Sequence, residues 1–560
     1  MHETDAPTAP AHAESPLDDV FIVSDLHLSL GRPHDQPAFS RLESFFYDDV
    51  FERFVDRLLR DLARRQRGGT LVLGGDVFDF LVITEVPERE EALQEGIVVT
   101  SELRRVGLGS KARHAAWKLR QIIAGHPRFF RTLGRWLAAD QRLVVVTGNH
   151  DAELYWARVR QTLMDALLSA TRQERPDADL DAVAERIEFR QWFYHEPGRL
   201  YFEHGNQYES SNCVRYNLCP ETAESSRRHR GELDLPVGSL FVRYLFNSVR
   251  YRKPYLANMV SMEQYMSAVA RLNLVEMIGV MFRRMPFFMR ALHAAKSFES
   301  RSVQKFRRTH EYRLAELADL EGLSPASLKR IQAMRAMPDG MTKYRLARSI
   351  LWPVIMKMLK YVLSGVGIFF VWFLVFSLIQ STPLVAAGVF GKASLTALLA
   401  VLTVIAALVL FNRLFSRLSN VPSGVPPNFY EAARVIAQQT GVRHVVMGHT
   451  HMAEVRALDT AGQTYANTGT WTALAGMWDV IWPDNRRFTF VRLRDHELEL
   501  LRWNDQAQRM DEVYQFSEYR PRPADVLYPE EPVEAVHLSR ADLPASSPLG
   551  PRPPSDPRRR

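Results

Sequence analysis

Val144-Val145-Val146-Thr147-Gly148-Asn149-His150-Asp151 passes in one step from a run of β-branched residues to a turn that carries an amide, an imidazole and a carboxylate. Short apolar runs of this kind are buried strands. The stop at Gly148 predicts a sharp turn that delivers polar side chains at the strand's carboxyl end, where open α/β sheets place their sites. The same design occurs four more times. Val20-Phe21-Ile22-Val23-Ser24 leads to Asp25-Leu26-His27, and Leu71-Val72-Leu73 leads to Gly74-Gly75-Asp76. Leu200-Tyr201-Phe202-Glu203 leads to His204-Gly205-Asn206, and Val445-Val446-Met447 leads to Gly448-His449-Thr450-His451. Together these strands predict a single edge lined with Asp, His and Asn.

The donors on that edge are oxygen and imidazole, with no thiolate, which suits manganese, iron, zinc and similar divalent ions, cobalt and nickel included. Asp25, His27, Asp76, Asn149, His204, His449 and His451 are too many ligands for one tetrahedral ion. They fit two ions that share a carboxylate, a pair that sits roughly 3.5–4 Å apart and clamps both oxygens of a displacement at phosphorus. Single residues also have plain readings. Asn149 after Gly148 is a turn former, Asp79 sits where a helix start would want it, and His195 competes with His204 for the same role. His444 reads as an ordinary packing residue. Asn467-Thr468-Gly469-Thr470 reads as a strand-to-turn element near the site and not as a ligand.

At Asp25-x-His27, Gly75-Asp76, Gly148-Asn149-His150-Asp151, His204 and Gly448-His449-x-His451 the chain resembles the calcineurin-like metallophosphoesterase superfamily, with all five motifs in the family's order. The likeness covers about 18–212 and 420–503. It implies an α/β fold, a four-layer αββα sandwich. It implies that Asp25, His27 and His451 hold one ion, that Asn149, His204 and His449 hold the other, and that Asp76 bridges them. His150 would face the phosphate and protonate the leaving oxygen, with Asp79 orienting it. The reaction implied is in-line hydrolysis by a metal-activated water, on a monoester, a diester or a pyrophosphate. The Ser24-Asp25-Leu26-His27-Leu28 opening looks like the branch that contains UDP-diacylglucosamine pyrophosphohydrolases, which points to a lipid-linked substrate. A non-catalytic metal-binding scaffold and a nucleic-acid phosphodiesterase are the competing readings.

Outside these motifs the chain divides by composition. The net charge is +7, but the stretch 241–360 alone holds 22 Lys/Arg against 8 Asp/Glu, which calls for an anionic partner such as lipid or nucleic acid. From 361 to 391 no charged residue occurs, and a second uncharged run covers 393–412. Roughly 20 apolar residues span a bilayer, so a two-helix transmembrane hairpin is expected at 361–380 and 393–412. Lys and Arg on its outer flanks place both termini and the catalytic domain in the cytoplasm. The expected division is a disordered tail (1–17), the first catalytic part (18–235), a basic amphipathic helical insert (236–350), the hairpin (351–419), the second catalytic part (420–510) and a disordered Pro-rich tail (511–560). The residues 275–292 fit either an interfacial helix or one packed on the catalytic domain. Helices are expected over 42–66, 104–137 and 429–439, the second as a cap or as scaffold, with strands over 487–493 and 497–503 completing the second sheet. The start of the chain lacks the basic and apolar regions of a signal peptide. With only Cys213 and Cys219 there is no disulfide framework.

Overall fold

A computed structural model describes residues 17–32, 38–221, 231–250, 301–338, 427–458, 462–472 and 487–513, with isolated residues between 283 and 403. Two sheets carry the fold. The seven-stranded sheet has four parallel strands: β1 (Asp19–Val23), β2 (Gly69–Gly74), β3 (Arg142–Val146) and β4 (Ile187–Arg190). The five-stranded sheet is built from β5 (Phe193–Glu196), β6 (Leu200–Glu203), β7 (His444–Met447), β8 (Glu454–Ala457) and β9 (Thr464–Asn467), with β6, β7 and β9 mutually parallel. Antiparallel strands β10 (Thr489–Arg494), β11 (Glu497–Asn504) and β12 (Arg509–Glu512) then extend the first sheet from the free edge of β1. The last strands therefore join the first sheet, against the sequence expectation that they complete the second, and β12 carries the folded part past 510.

Alternation along each strand explains why the runs are apolar throughout. Val20, Ile22, Val72, Val144 and Val146 face one way and meet Leu200, Phe202, Val446 and Ala466 of the other sheet. Phe21, Val23, Leu71, Leu73, Leu143 and Val145 face the other way, into helices Asp48–Arg65, Ala112–Gly125, Pro127–Ala138 and Ala157–Glu174. On the second sheet Tyr201, Val445, Met447 and Tyr465 turn outward against helices Arg301–Leu320, Pro325–Ala333 and Pro427–Thr440. Strands buried on both faces leave no polar side, which is why they read as continuous hydrophobic runs.

The helix expected from 42 begins only at Asp48. The buried Glu43 carboxylate accepts the backbone N–H groups of Ser29, Gly31, Ser44 and Phe45, and so competes with the first helical turn. The stretch 104–137 is three helices, broken at Gly107 (φ 80°) and before Pro127. Its aromatic side chains lie in the layer on the first sheet, which makes most of it scaffold. The described parts of the basic insert pack onto the rest of the fold. Residues Val237–Phe246 are buried in an apolar cluster with Leu81, Val82, Val106, Ala152 and Tyr155, and Arg301–Ala333 supplies two helices of the outer layer. In the stretch 275–292 the described Phe288 is buried against Phe241; most of the rest lies outside the described residues.

The transmembrane hairpin is not supported. Among the described residues no helix is long and apolar enough to cross a membrane. The described helices of 18 residues or more, Asp48–Arg65, Ala157–Glu174 and Arg301–Leu320, carry charged side chains along their whole length, which is costly in hydrocarbon. Most residues of the expected spans 361–380 and 393–412 lie outside the described residues, and those described form no helix of that length. The multi-pass placement and the cytoplasmic assignment of the termini fall with the hairpin. The tail expectations for 1–17 and 511–560 lie almost entirely outside the described residues. Both cysteines are free and buried.

One buried ion group ties the loop after β1 to the helical layer. His126 is enclosed, with Nδ1 3.0 Å from Asp48 Oδ2 and Nε2 3.3 Å from Glu43 Oε2. Burial works to lower its pKa, but the Glu43 and Asp48 carboxylates outweigh it and raise the imidazole to about 10. A histidine raised in the folded state contributes stability that is complete below about pH 6.5 and is lost as pH climbs through the folded value. His126→Gln is therefore expected to cost about 3–5 kcal/mol near pH 6, since it leaves Glu43 buried and unpaired. Denaturant midpoints of the two proteins should converge as pH approaches 10.

Candidate metal centre

Parallel pairing sets the ends of β1, β2 and β3 level, with Val23 opposite Leu73 and Gly74 opposite Val146. Asp25, Asp76 and Asn149 each follow within three residues of their strand. On the facing sheet Glu203 is level with Met447, which puts His204 and His449 just beyond neighbouring strand ends. Asp25 (φ 55°), His27 (φ 56°), Asp76 (φ 50°), His449 (φ 70°) and His451 (φ 58°) all take the left-handed conformation, half of the ten non-glycine residues that do so among those described. Such conformations cost free energy and gather where a side chain must be aimed. Backbone bonds hold them: Asp25 N–H donates to Gly75 O (3.1 Å), His27 N–H to Asp76 O (2.9 Å), and Thr470 Oγ1 to Asp25 O (2.9 Å).

The side chains form one connected centre. Ligating atoms of Asp25, His27 and His451 lie within 4.8 Å of one another, as do those of Asp76, His204 and His449. The halves meet where His449 N–H donates to Asp25 Oδ2 (3.0 Å), and within the second half the His204 and His449 rings stand 5.2 Å apart. Asn149 is buried in the same turn, between Gly148, which abuts Asp76, and His150, whose N–H donates to Asp76 Oδ1 (2.7 Å). His150 Nδ1 is 2.9 Å from Asp79 Oδ1, and the His27 Nδ1 is 3.7 Å from the other Asp79 oxygen. All nine expected residues are thus in one place. His195 is not among them: it is buried beside Glu321 (3.5 Å) on β5. His444 bonds Thr464 Oγ1 and the His496 carbonyl.

Tests on the donor atoms favour a cation. The His204 Nδ1–H donates to the Gly74 carbonyl (3.0 Å), which leaves Nε2 as the ring nitrogen that faces the centre. That atom is buried without a hydrogen-bond partner and faces Asp76 Oδ2 at 3.2 Å. A proton or a metal ion between them satisfies both atoms; burial works to lower the His204 pKa, but the Asp76 and Asp25 carboxylates outweigh it and raise the imidazole to about 10, the mark of a site built for a positive charge. Asn149 Oδ1 and Asp25 Oδ1 are likewise buried without a hydrogen bond, the latter 3.1 Å from His451 Nε2. Burial would raise the Asp25 carboxyl, but the His451 and His204 imidazoles hold it down at about 2. Asp76 is driven well below the ordinary range against the same burial, chiefly by His204 and His150. His27 is pushed down by burial, which keeps its ring neutral and able to coordinate. The residues present fit a pair of divalent ions.

Supporting residues were less visible in the sequence. Asp151, quoted as part of the turn but given no role, accepts from Val77 N–H (2.9 Å) and Gly148 N–H (2.6 Å) and braces two ligand loops against each other. Ser24 Oγ donates to the Asp25 carboxylate and lies 2.6 Å from Thr468 Oγ1, while Asn467 Nδ2 holds the Gly448 carbonyl (2.7 Å). Their signal was only adjacency to the motifs. Glu209 had no signal: it is a charged residue in a polar loop, yet it lies against His449 (2.7 Å).

Two glycines are required for the approach of these loops. Gly75 has φ 81°, and a Cβ there would lie 2.7 Å from the His204 ring. A Cβ on Gly148 would sit 2.3 Å from Asp76 Oδ1 and 2.5 Å from its backbone nitrogen. Gly148→Ala is expected to displace Asp76, costing about 1–3 kcal/mol of stability and weakening any bound divalent ion roughly 10- to 100-fold. Melting curves with and without added Mn²⁺ check both figures. Comparison with family models, curated proteins and solved structures returned no match.

Proposed function

We propose that the chain is a two-metal phosphoesterase of the calcineurin-like type, which hydrolyses a phosphate ester or anhydride. The observation that carries this reading is the pair of ligand groups, Asp25/His27/His451 and Asp76/His204/His449, joined through buried acceptor atoms that lack a protein donor. Bound divalent ions would supply an activated water and offset the charge on the phosphoryl oxygens. Asp25, His27 and His451 would hold one ion; Asn149, His204 and His449 would hold the other; Asp76, which faces His204 through one oxygen and receives the His150 N–H at the other, would serve both. His150 stands at the rim of the group, backed by Asp79, and would hand a proton to a leaving oxygen.

The lipid-linked substrate loses its topological support along with the hairpin, so the proposal stops at the phosphoryl group. The experiment is a metal analysis of the purified full chain followed by turnover of a chromogenic phosphodiester and its matching monoester with added manganese, with Asp76→Asn as control. Two ions per chain and metal-dependent turnover are expected. Two ions without turnover of any phosphoester would favour a binding scaffold. No bound metal would overturn the proposal.

A further inference from the structure

The segment after β6 is built to return a carboxylate to the metal centre. Gly205 (φ 101°) reverses the chain, Asn206–Tyr208 make a single helical turn, and Glu209 arrives against β7 with Oε2 2.7 Å from His449 Nε2. The carboxylate is not left to swing. Ser211 Oγ donates to Oε1 (2.9 Å) and Asn212 Nδ2 donates to Oε2 (2.9 Å). The backbone around it is fixed by Asn212 N–H and Cys213 N–H, both donating to the Glu209 carbonyl, and by Asn206 Nδ2 on the Asn212 carbonyl. The insert adds a further tie, since Gly238 N–H donates to the Ser211 carbonyl (2.8 Å) and Ser239 Oγ to the Asn149 carbonyl (3.4 Å).

An ionised carboxylate only accepts, so the His449 nitrogen facing it must carry the proton, and the lone pair then resides on Nδ1. Ligating histidines are commonly set in tautomer and ring plane by such an outer partner. The ring plane here is also held by Phe429, which stacks on it at 6.5 Å and 12°. On the other half of the centre, Asp79 lies 3.7 Å from His27 Nδ1, and His451 Nδ1 is buried without a partner. The loop that carries Glu209 therefore bears on one half of the centre.

We infer that Glu209 is a positioning residue for the second metal site, fixing His449 so that its Nδ1 coordinates, and that the 205–212 loop together with Gly238 and Ser239 sets the affinity of that ion apart from the first. This inference rests on the two-metal reading given above. It assigns a task to the start of the basic insert: bracing the ligands His449 and Asn149 through Ser211 and Ser239.

The test is calorimetric titration of Mn²⁺ into the metal-free full chain, for wild type, Glu209→Gln and Ser211→Ala, with the exchange-coupled Mn²⁺-pair signal followed by electron paramagnetic resonance. In wild type two ions should bind. In Glu209→Gln the second should bind roughly 10- to 100-fold more weakly while the first is unchanged, so that the pair signal is lost at one to two equivalents. Ser211→Ala should move the second site in the same direction by less. The metal-free melting temperatures of wild type and Glu209→Gln should agree, because the Glu209 side chain is partly exposed and Gln has the same shape. Unchanged binding of both ions in Glu209→Gln would overturn the inference while leaving the phosphoesterase reading intact. Weakening of both ions together, with a lower metal-free melting temperature, would make Glu209 a merely structural residue and also overturn it. A wild-type chain that binds no Mn²⁺ would overturn the phosphoesterase reading and the inference with it.

Discussion

Asp76→Asn is expected to reduce phosphoester turnover by at least about 10³-fold, equivalent to about 4 kcal/mol of transition-state stabilisation, and to lower the bound metal from two ions toward one or none. The substitution is chosen so that little else changes. Asn has the same shape, its amide oxygen can still accept the His150 N–H now held by Asp76 Oδ1 at 2.7 Å, and Asn tolerates the left-handed conformation that Asp76 adopts at φ 50°. An Ala at this position would add backbone strain and confuse the result. What Asn removes is the negative charge that faces the buried His204 Nε2 at 3.2 Å. If Asp76 serves both ions, its loss disturbs both halves of the centre. A change confined to one half, by contrast, is what Glu209→Gln should produce. Metal content by elemental analysis and kcat/KM on the preferred ester decide the matter. Retention of two ions and near-normal turnover would remove Asp76 from the centre.

The site was legible in the sequence for a simple physical reason. A strand buried on both faces is apolar along its length, so the first Asp, His or Asn beyond it marks the strand end, and parallel pairing puts such ends together. Conformation at those ends was not legible: nothing in the composition around Asp25 or His449 announces a left-handed backbone. Long-range pairing was not legible either. β10 pairs with β1, with Val20 opposite Leu493, and an alternating strand looks the same whichever sheet it joins. Amphipathicity showed that 301–333 buries a face but not that the face is the five-stranded sheet. The hydropathy of 361–412 led to a hairpin that the described helices do not support. Hydropathy measures what a segment avoids and leaves open what it meets. Glu209 is the complementary case. Its role exists only through a fold that returns the chain to His449 from another strand, so no local pattern could mark it.

His150→Asn should separate metal binding from proton transfer. Neither its side chain nor that of Asp79 is among the expected ligands, and His150 stands 2.9 Å from the Asp79 carboxylate, with its ring edge-on to His27 at 4.7 Å. The variant should therefore keep two ions while losing turnover. General acids contribute about 10²- to 10⁴-fold, and the size of the loss should depend on the substrate. A nitrophenolate departs without help, so a chromogenic aryl ester should lose little, toward the low end of that range or below it. An alkyl ester, whose alkoxide must be protonated as it leaves, should lose the full amount. The ratio of the two losses is the diagnostic quantity, since damage to the metal centre would depress both substrates alike. Asp79→Asn should give the same pattern in weaker form, about 10-fold on the alkyl ester, because it reaches the reaction through the His150 ring, and its 3.7 Å approach to His27 Nδ1 should show separately as a change in metal content. If the aryl and alkyl esters fall equally in His150→Asn with both ions retained, His150 binds the phosphoryl group rather than protonating the leaving oxygen.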